Sequence, residues 1–188
     1  RTYNLADLFE IVAGVVPERK AFVCGDKQLS FAQLNIRANQ LGNALRAKGI
    51  KRGDNVGIQL YNSAEYLETF FACMKIGAVP VNINYRYVAH ELKYLYTNLD
   101  MKGLVYGADF EAEVQKALAE SPNVQLPIQV ASVSGAASAY EALLATGAQD
   151  LSDPDRSEND HYILCTGGTT GMPKGVVWTH KAVFMAAL

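Results

Sequence analysis

Ile163-Leu164-Cys165-Thr166-Gly167-Gly168-Thr169-Thr170-Gly171-Met172-Pro173-Lys174-Gly175-Val176-Val177 sets two apolar runs around a stretch of glycines, hydroxyl side chains and one lysine. The apolar runs read as strands. Between them, glycine lets the backbone turn its amides toward a ligand with no Cβ in the way. Successive amides of that kind form an anion-binding nest. Thr166, Thr169 and Thr170 add hydroxyl donors, and Lys174 adds a positive charge. Phosphate oxygens suit this set best. A Walker A loop is excluded, because Lys174 follows Pro173 and precedes Gly175. A dinucleotide fingerprint is excluded too, because Gly167, Gly168 and Gly171 do not give G-x-G-x-x-G. A plain glycine hairpin explains the apolar flanks. It does not explain three threonines and a Pro-Lys pair.

Outward from this stretch, strands and helices alternate. Asn4 caps a first helix with Leu5, Leu8, Phe9 and Val12 on one face, and Lys20–Cys24 with Lys27–Leu29 forms a hairpin turned by Gly25-Asp26. Ser30 and Gln33 make a capping box ahead of Leu34, Ala38, Leu41 and Leu45 at helical spacing, and Gly49 stops that helix. Lys51-Arg52 reads as solvated turn. Val56–Leu60 is a strand, and Asn62 with Glu65 suits the next helix start. There Leu67, Phe70, Phe71 and Met74 form a stripe better suited to core than to a substrate channel. Val79–Asn82, Lys102–Tyr106 and Ile128–Ala131 are further strands. Helices run through Glu91–Leu99, Phe110–Ala119 and Ala139–Ala145, and the polar, acidic stretch 149–159 is a surface connection. The alternation predicts an α/β fold with a largely parallel sheet.

Composition sets the outer limits. With 188 residues, 49% of them hydrophobic, the chain is long enough for a sizeable core. A net charge of −2 gives no basic surface for nucleic acid. Cys24, Cys73 and Cys165 lack metal-ligand spacing and read as reduced, cytoplasmic thiols. No apolar run approaches the ~20 residues needed to span a membrane. The composition leaves a peripheral membrane contact and a homodimer open. Arg1 is no initiator, and Ala182–Leu188 is an apolar run with nothing after it to cover it. The expectation is a piece of a longer polypeptide, with a short natural protein as the alternative.

The segment Thr166-Gly167-Gly168-Thr169-Thr170-Gly171-Met172-Pro173-Lys174-Gly175 resembles the phosphate-binding signature of the adenylate-forming enzymes, usually (Tyr/Phe)-(Thr/Ser)-Ser-Gly-Thr-Thr-Gly-x-Pro-Lys-Gly. Cys165 stands where an aromatic is common, and Gly167 where serine is usual. Leu29–Leu34 and Met74–Asn82 resemble scaffold elements of the same family, and Arg86 an arginine common at that point. A histidine at the place of His180 is also frequent. The resemblance covers essentially the whole chain. It implies the first part of the large N-terminal AMP-binding domain, residues 1–188, with the remainder and a small C-terminal domain absent.

The reaction so implied joins a carboxylate to the α-phosphorus of ATP as acyl-AMP, with pyrophosphate leaving. CoA then takes the acyl group. ATP, Mg2+ and CoA are the implied cofactors or substrates, and a fatty or steroid-derived acid the implied substrate. The resemblance assigns Thr166, Gly167, Gly168, Thr169, Thr170, Gly171, Met172, Pro173 and Lys174 to the phosphates. Thr166 would touch magnesium, and Lys174 would be a phosphate cation. The adenine pocket, an acidic magnesium ligand and a mobile-domain lysine would lie beyond Leu188. Loading of a carrier protein and a non-catalytic nucleotide-binding module are the alternative functions.

Overall fold

Six strands form one sheet in the computed structural model, which describes residues 3–25, 27–132, 138–167 and 171–187. In chain order the elements are α1 (Leu5–Val15), β1 (Lys20–Cys24), β2 (Lys27–Ser30), α2 (Phe31–Ala47), β3 (Asn55–Gln59), α3 (Ala64–Lys75), β4 (Val79–Asn82) and α4 (Ala89–Asn98). Then come β5 (Met101–Gly107), α5 (Glu111–Leu118), β6 (Leu126–Val130), α6 (Ala139–Leu144), β7 (His161–Thr166), β8 (Lys174–Thr179) and α7 (His180–Ala186). The hairpin β1–β2 stands apart. Gly25 in its turn has φ +56°, a conformation that favours glycine, and Asp26 lies outside the described residues.

The sheet order is β6-β5-β3-β4-β7-β8. The first five are parallel neighbours, and β8 joins β7 antiparallel at the edge. The expected α/β fold with a largely parallel sheet is therefore present. The order grows outward from β3, first to β4 and then back past β3 to β5. Helices accordingly cover both faces. Leu41, Leu45, Ala72, Cys73 and Tyr140 of α2, α3 and α6 pack with Val56 and Ile58 on one face. Leu92, Leu95 and Val114 of α4 and α5 pack with Leu104 and Tyr106 on the other.

Local chemistry sets the boundaries. The capping box is formed: Ser30 Oγ accepts the Gln33 N–H at 3.2 Å, and Gln33 Oε1 accepts the Ser30 N–H at 2.8 Å. For α3 the cap is Ser63, not Asn62; Ser63 Oγ accepts the Tyr66 N–H at 3.3 Å. The α1 face also differs from expectation. Ala6, Phe9 and Ala13 are buried, whereas Val12 is 41% exposed. Glu10 lies on the flank of that face, paired with the buried Lys75, and this rotation carries Val12 outward.

Charges inside the helical layer account for the other departures. In the α3 stripe only Met74 is fully buried. Glu68, Thr69 and Lys75 are buried with it at 0% exposure. Phe71 does pack as core, stacked on Phe9 at 4.0 Å. Glu68 accepts from Arg37 Nε at 2.7 Å, from Arg37 Nη2 at 3.0 Å and from the Tyr140 hydroxyl at 2.7 Å. Arg52, expected to be solvated, pairs with Asp153 at 3.3 Å and Asp160 at 2.7 Å. Arg156 of the same connection pairs with Asp7 and Glu10. The acidic connection is a brace rather than a free surface loop.

Gly57 makes the sheet face tight. A Cβ there would meet Met101 Sδ at 2.5 Å and Ile83 Cδ1 at 2.7 Å. Gly57→Ala is therefore expected to lower the unfolding free energy by roughly 1–3 kcal/mol, read from the denaturant midpoint. An unchanged midpoint would show that this layer yields freely.

Candidate functional site

The predicted phosphate stretch forms the turn end of the β7–β8 hairpin. Thr166 is the last residue of β7 and Lys174 the first of β8, and the two are register partners. The hairpin topology set aside on sequence grounds is thus present, with Thr166 and Lys174 paired at the loop end of its strands. Thr166, Gly167, Gly171 and Lys174 are exposed, Met172 is half-buried and Pro173 is buried. Gly168, Thr169 and Thr170 lie outside the described residues. Gly171 has φ +96°, so a side chain there would be strained. Gly167 is different: a Cβ would meet nothing within 4 Å. Packing does not require glycine where the family signature has serine.

Strands both enter and leave this loop, so it does not itself run into a helix. Its own contribution to anion attraction comes from amides, hydroxyls and Lys174. Among the described residues Lys174 makes no ion pair, which leaves its charge available to a ligand.

Beside the loop lies a cleft of about 350 Å³, lined by Leu60, Asn62, Tyr66, Asn82, Asn84 and Cys165. Apart from Tyr66 in the first turn of α3, these residues stand at or just past the carboxyl ends of β3, β4 and β7. In an open α/β sheet, ligands bind outside the carboxyl ends where the strand order reverses. Here that reversal is at β3 and β4. The cleft offers three side-chain amides, suited to hydrogen bonding a polar ligand. Burial pushes the Tyr66 hydroxyl well up, with Tyr162 adding to the effect. Tyr66 therefore stays protonated as a donor. A second cleft of about 200 Å³ is lined by Tyr61, Asp109, Phe110 and Ser132 at the ends of β3, β5 and β6. Tyr61 contacts Tyr85 and Phe110 at 4.9 Å each, and the Arg86 guanidinium lies 5.4 Å from the Tyr85 ring centre. Sequence reasoning missed both clefts. Asn62, Asn82 and Asn84 were the legible signal, polar residues recurring just past predicted strand ends.

Cys165 is buried on β7, and burial pushes its thiol up to about 12. Cys73 is pushed up to about 12 for the same reason. Cys24 is exposed. A thiol reagent at neutral pH is expected to label Cys24 in the folded protein and to reach Cys73 and Cys165 only after denaturation, because thiolate is the reacting form. Labelling of Cys165 at a comparable rate would contradict this placement.

His180 begins α7, at the far end of β8 from Lys174, and is buried. Trp178 is 37% exposed on β8. Among the described residues no helix is long and apolar enough to cross a membrane, and no cluster of three His, Cys, Asp or Glu could hold a metal.

Comparison with known proteins agrees with this geometry. The family model described as AMP-binding enzyme matches residues 9–188. The 3-oxocholest-4-en-26-oate–CoA ligase of Rhodococcus rhodochrous is 41% identical over 96% of this chain and 34% of its own length. The medium/long-chain-fatty-acid–CoA/3-oxocholest-4-en-26-oate–CoA ligase of Mycobacterium marinum is 39% identical over 96% of this chain and 35% of its own. Among solved structures, the anthranilate CoA ligase AuaEII in complex with anthranoyl-AMP superposes with a TM-score of 0.87. It has 26% identity over 96% of this chain and 34% of that one. The chain thus spans about a third of the length of these curated relatives. A strand-bounded Thr-Gly-Gly-Thr-Thr-Gly-Met-Pro-Lys loop at the carboxyl edge of a parallel sheet, matched along nearly the whole chain, places this protein in the AMP-binding enzyme family.

Proposed function

We propose that the complete polypeptide containing these residues is an ATP-dependent acyl-CoA synthetase and that residues 1–188 are the N-terminal portion of its adenylation domain. The observation that carries this is the Thr166–Lys174 loop, with its unpaired lysine, beside the amide-lined cleft. The relatives named as fatty-acid and steroid-oate CoA ligases support a fatty or steroid-derived acid as substrate.

The chemistry asks two anions to meet. A carboxylate oxygen attacks the α-phosphorus, the bond to the bridging oxygen breaks, and pyrophosphate leaves with that electron pair. CoA thiol then takes the acyl group and AMP departs. What a protein adds is preset charge stabilisation. Lys174 and the loop amides would hold the β- and γ-phosphates and spread the charge that develops on pyrophosphate. The Thr166 hydroxyl, exposed at the end of β7, fits a phosphate or its magnesium. Magnesium would supply further neutralisation. The three free thiols fit a reducing compartment, the cytoplasm.

The test is carboxylate-dependent ATP–pyrophosphate exchange by the complete polypeptide, across short, long and ring-bearing acids, with and without CoA. Exchange with a fatty or steroid-derived acid, and thioester on adding free CoA, is the expected result. Exchange without thioester would indicate transfer to a carrier protein. No exchange with any acid would indicate a non-catalytic binder.

A further inference from the structure

The β7–β8 hairpin is about 20 Å long, yet β4 holds it sideways through only two register pairs, Val81↔Ile163 and Asn82↔Leu164. Among the described residues β8 pairs only with β7. A second fixed point along this ribbon helps to set its tilt.

That point is the open end, opposite the loop. Asp160 precedes β7 and His180 follows β8; the His180 N–H donates to the Asp160 carbonyl at 2.9 Å. Asp160 Oδ2 accepts from Asn4 Nδ2 at 3.1 Å and from the Ser157 N–H at 3.0 Å, and Asp160 Oδ1 accepts from Arg52 Nη1 at 2.7 Å. Asn4 is fully buried and caps α1, with its Oδ1 accepting the Ala6 N–H at 2.9 Å. The next amide, the Leu5 N–H, donates to Nδ1 of the fully buried His180 at 3.3 Å. The Tyr3 ring lies 5.1 Å from that of Phe184 on α7. The first turn of α1 is thereby plugged into the hairpin root.

We infer that His180 is a positioning residue for the phosphate loop: its Nδ1 accepts the Leu5 N–H, locks α1 to the root of the β7–β8 hairpin, and so sets the tilt that places Thr166 and Lys174. The catalytic part of this inference rests on the proposed adenylation; the clamp itself does not. Nδ1 can accept only in the tautomer with hydrogen on Nε2. Nε2 is buried and has no partner among the described residues.

Protonating Nδ1 would remove the acceptor. Burial pushes the imidazole below its ordinary value; Asp160 on the connection, a hydrogen bond to the His161 backbone and Asp7 on α1 oppose that, and the charge of His161 on β7 adds to it. The folded protein therefore binds the proton less readily than the unfolded chain. The clamp is intact above the ordinary imidazole range and is lost as pH falls through the depressed value.

The experiment compares the complete polypeptide with His180→Ala and with His180→Asn, whose amide oxygen can stand in for Nδ1. Hydrogen exchange across 161–167 and 171–179 is expected to quicken in His180→Ala and to stay near wild type in His180→Asn. The KM for ATP is expected to rise about tenfold in His180→Ala, with the carboxylate KM unchanged, and to recover to within about threefold in His180→Asn. As pH is lowered, the ATP KM of the wild type should rise and that of His180→Asn should stay flat. Equal damage by the two substitutions, a fall in kcat at unchanged ATP KM, or the same pH response in His180→Asn would overturn the inference. If the wild type catalyses no exchange with any acid, the adenylation reading fails and hydrogen exchange alone decides the clamp. If His180→Ala does not fold, the pH response of wild type against His180→Asn decides it.

Discussion

Lys174→Ala in the complete polypeptide is expected to slow carboxylate-dependent ATP–pyrophosphate exchange by about 30- to 900-fold, the equivalent of roughly 2–4 kcal/mol for one preorganised electrostatic contact. The reason is local. Lys174 opens β8 directly across from Thr166, is exposed, and has no carboxylate partner among the described residues. Its charge is not spent within the fold. Removing it should therefore cost little stability, and the denaturant midpoint should move by under about 0.5 kcal/mol. Lys174→Arg keeps the charge on a differently shaped head and should recover part of the rate. An unchanged rate in Lys174→Ala would show that the loop amides suffice.

The opposite pattern is expected of Arg37→Met. Glu68 is fully buried, and three of its contacts come from the Arg37 guanidinium and the Tyr140 hydroxyl. Burial lowers the Arg37 proton affinity, and the hydrogen bonds it donates to Glu68 and Glu141 more than reverse that, so the guanidinium is held above its ordinary value. Methionine fills much of the arginine volume but leaves the carboxylate without its ion partner. Breaking a buried pair from one side costs about 3–5 kcal/mol. The denaturant midpoint of Arg37→Met should fall by that amount. The double replacement Arg37→Met with Glu68→Leu should recover part of it, because no fully buried charge is left orphaned, although the half-exposed Glu141 loses its partner and the Tyr140 hydroxyl its Glu68 acceptor. Failure of the double variant to recover would place the loss in packing rather than charge.

The sequence carried the backbone well and the buried charges poorly. Ser30 with Gln33, Gly49 with φ +96° and Gly77 with φ +70° act within one or two turns of themselves, so their effect is written locally. The phosphate loop was legible for the same reason, all its parts lying in one short run. Glu68, Lys75 and Arg156 were not. Each is an ordinary surface residue by pattern, and each is buried only because its partner arrives from 31, 65 or 146 positions away. Val12 was misplaced as a consequence, since the Glu10–Lys75 pair rotates α1. Likewise the clefts beside the loop depend on strand order, and alternation alone does not say that β5 lies on the far side of β3 from β4.

The seating of α1 against the hairpin root has a consequence in time. Asn4 meets partners 153 and 156 positions along the chain, and Leu5 meets His180 after 175. At about 5–20 residues per second on the ribosome, α1 waits on the order of ten to thirty seconds for the residues that complete its first turn. Phe31 and Phe71 reach the apolar face of α1 much earlier, so what waits is its first turn, whose distant partners arrive last. A ribosome stalled before residue 157 should leave that first turn, and not the whole helix, open to protease.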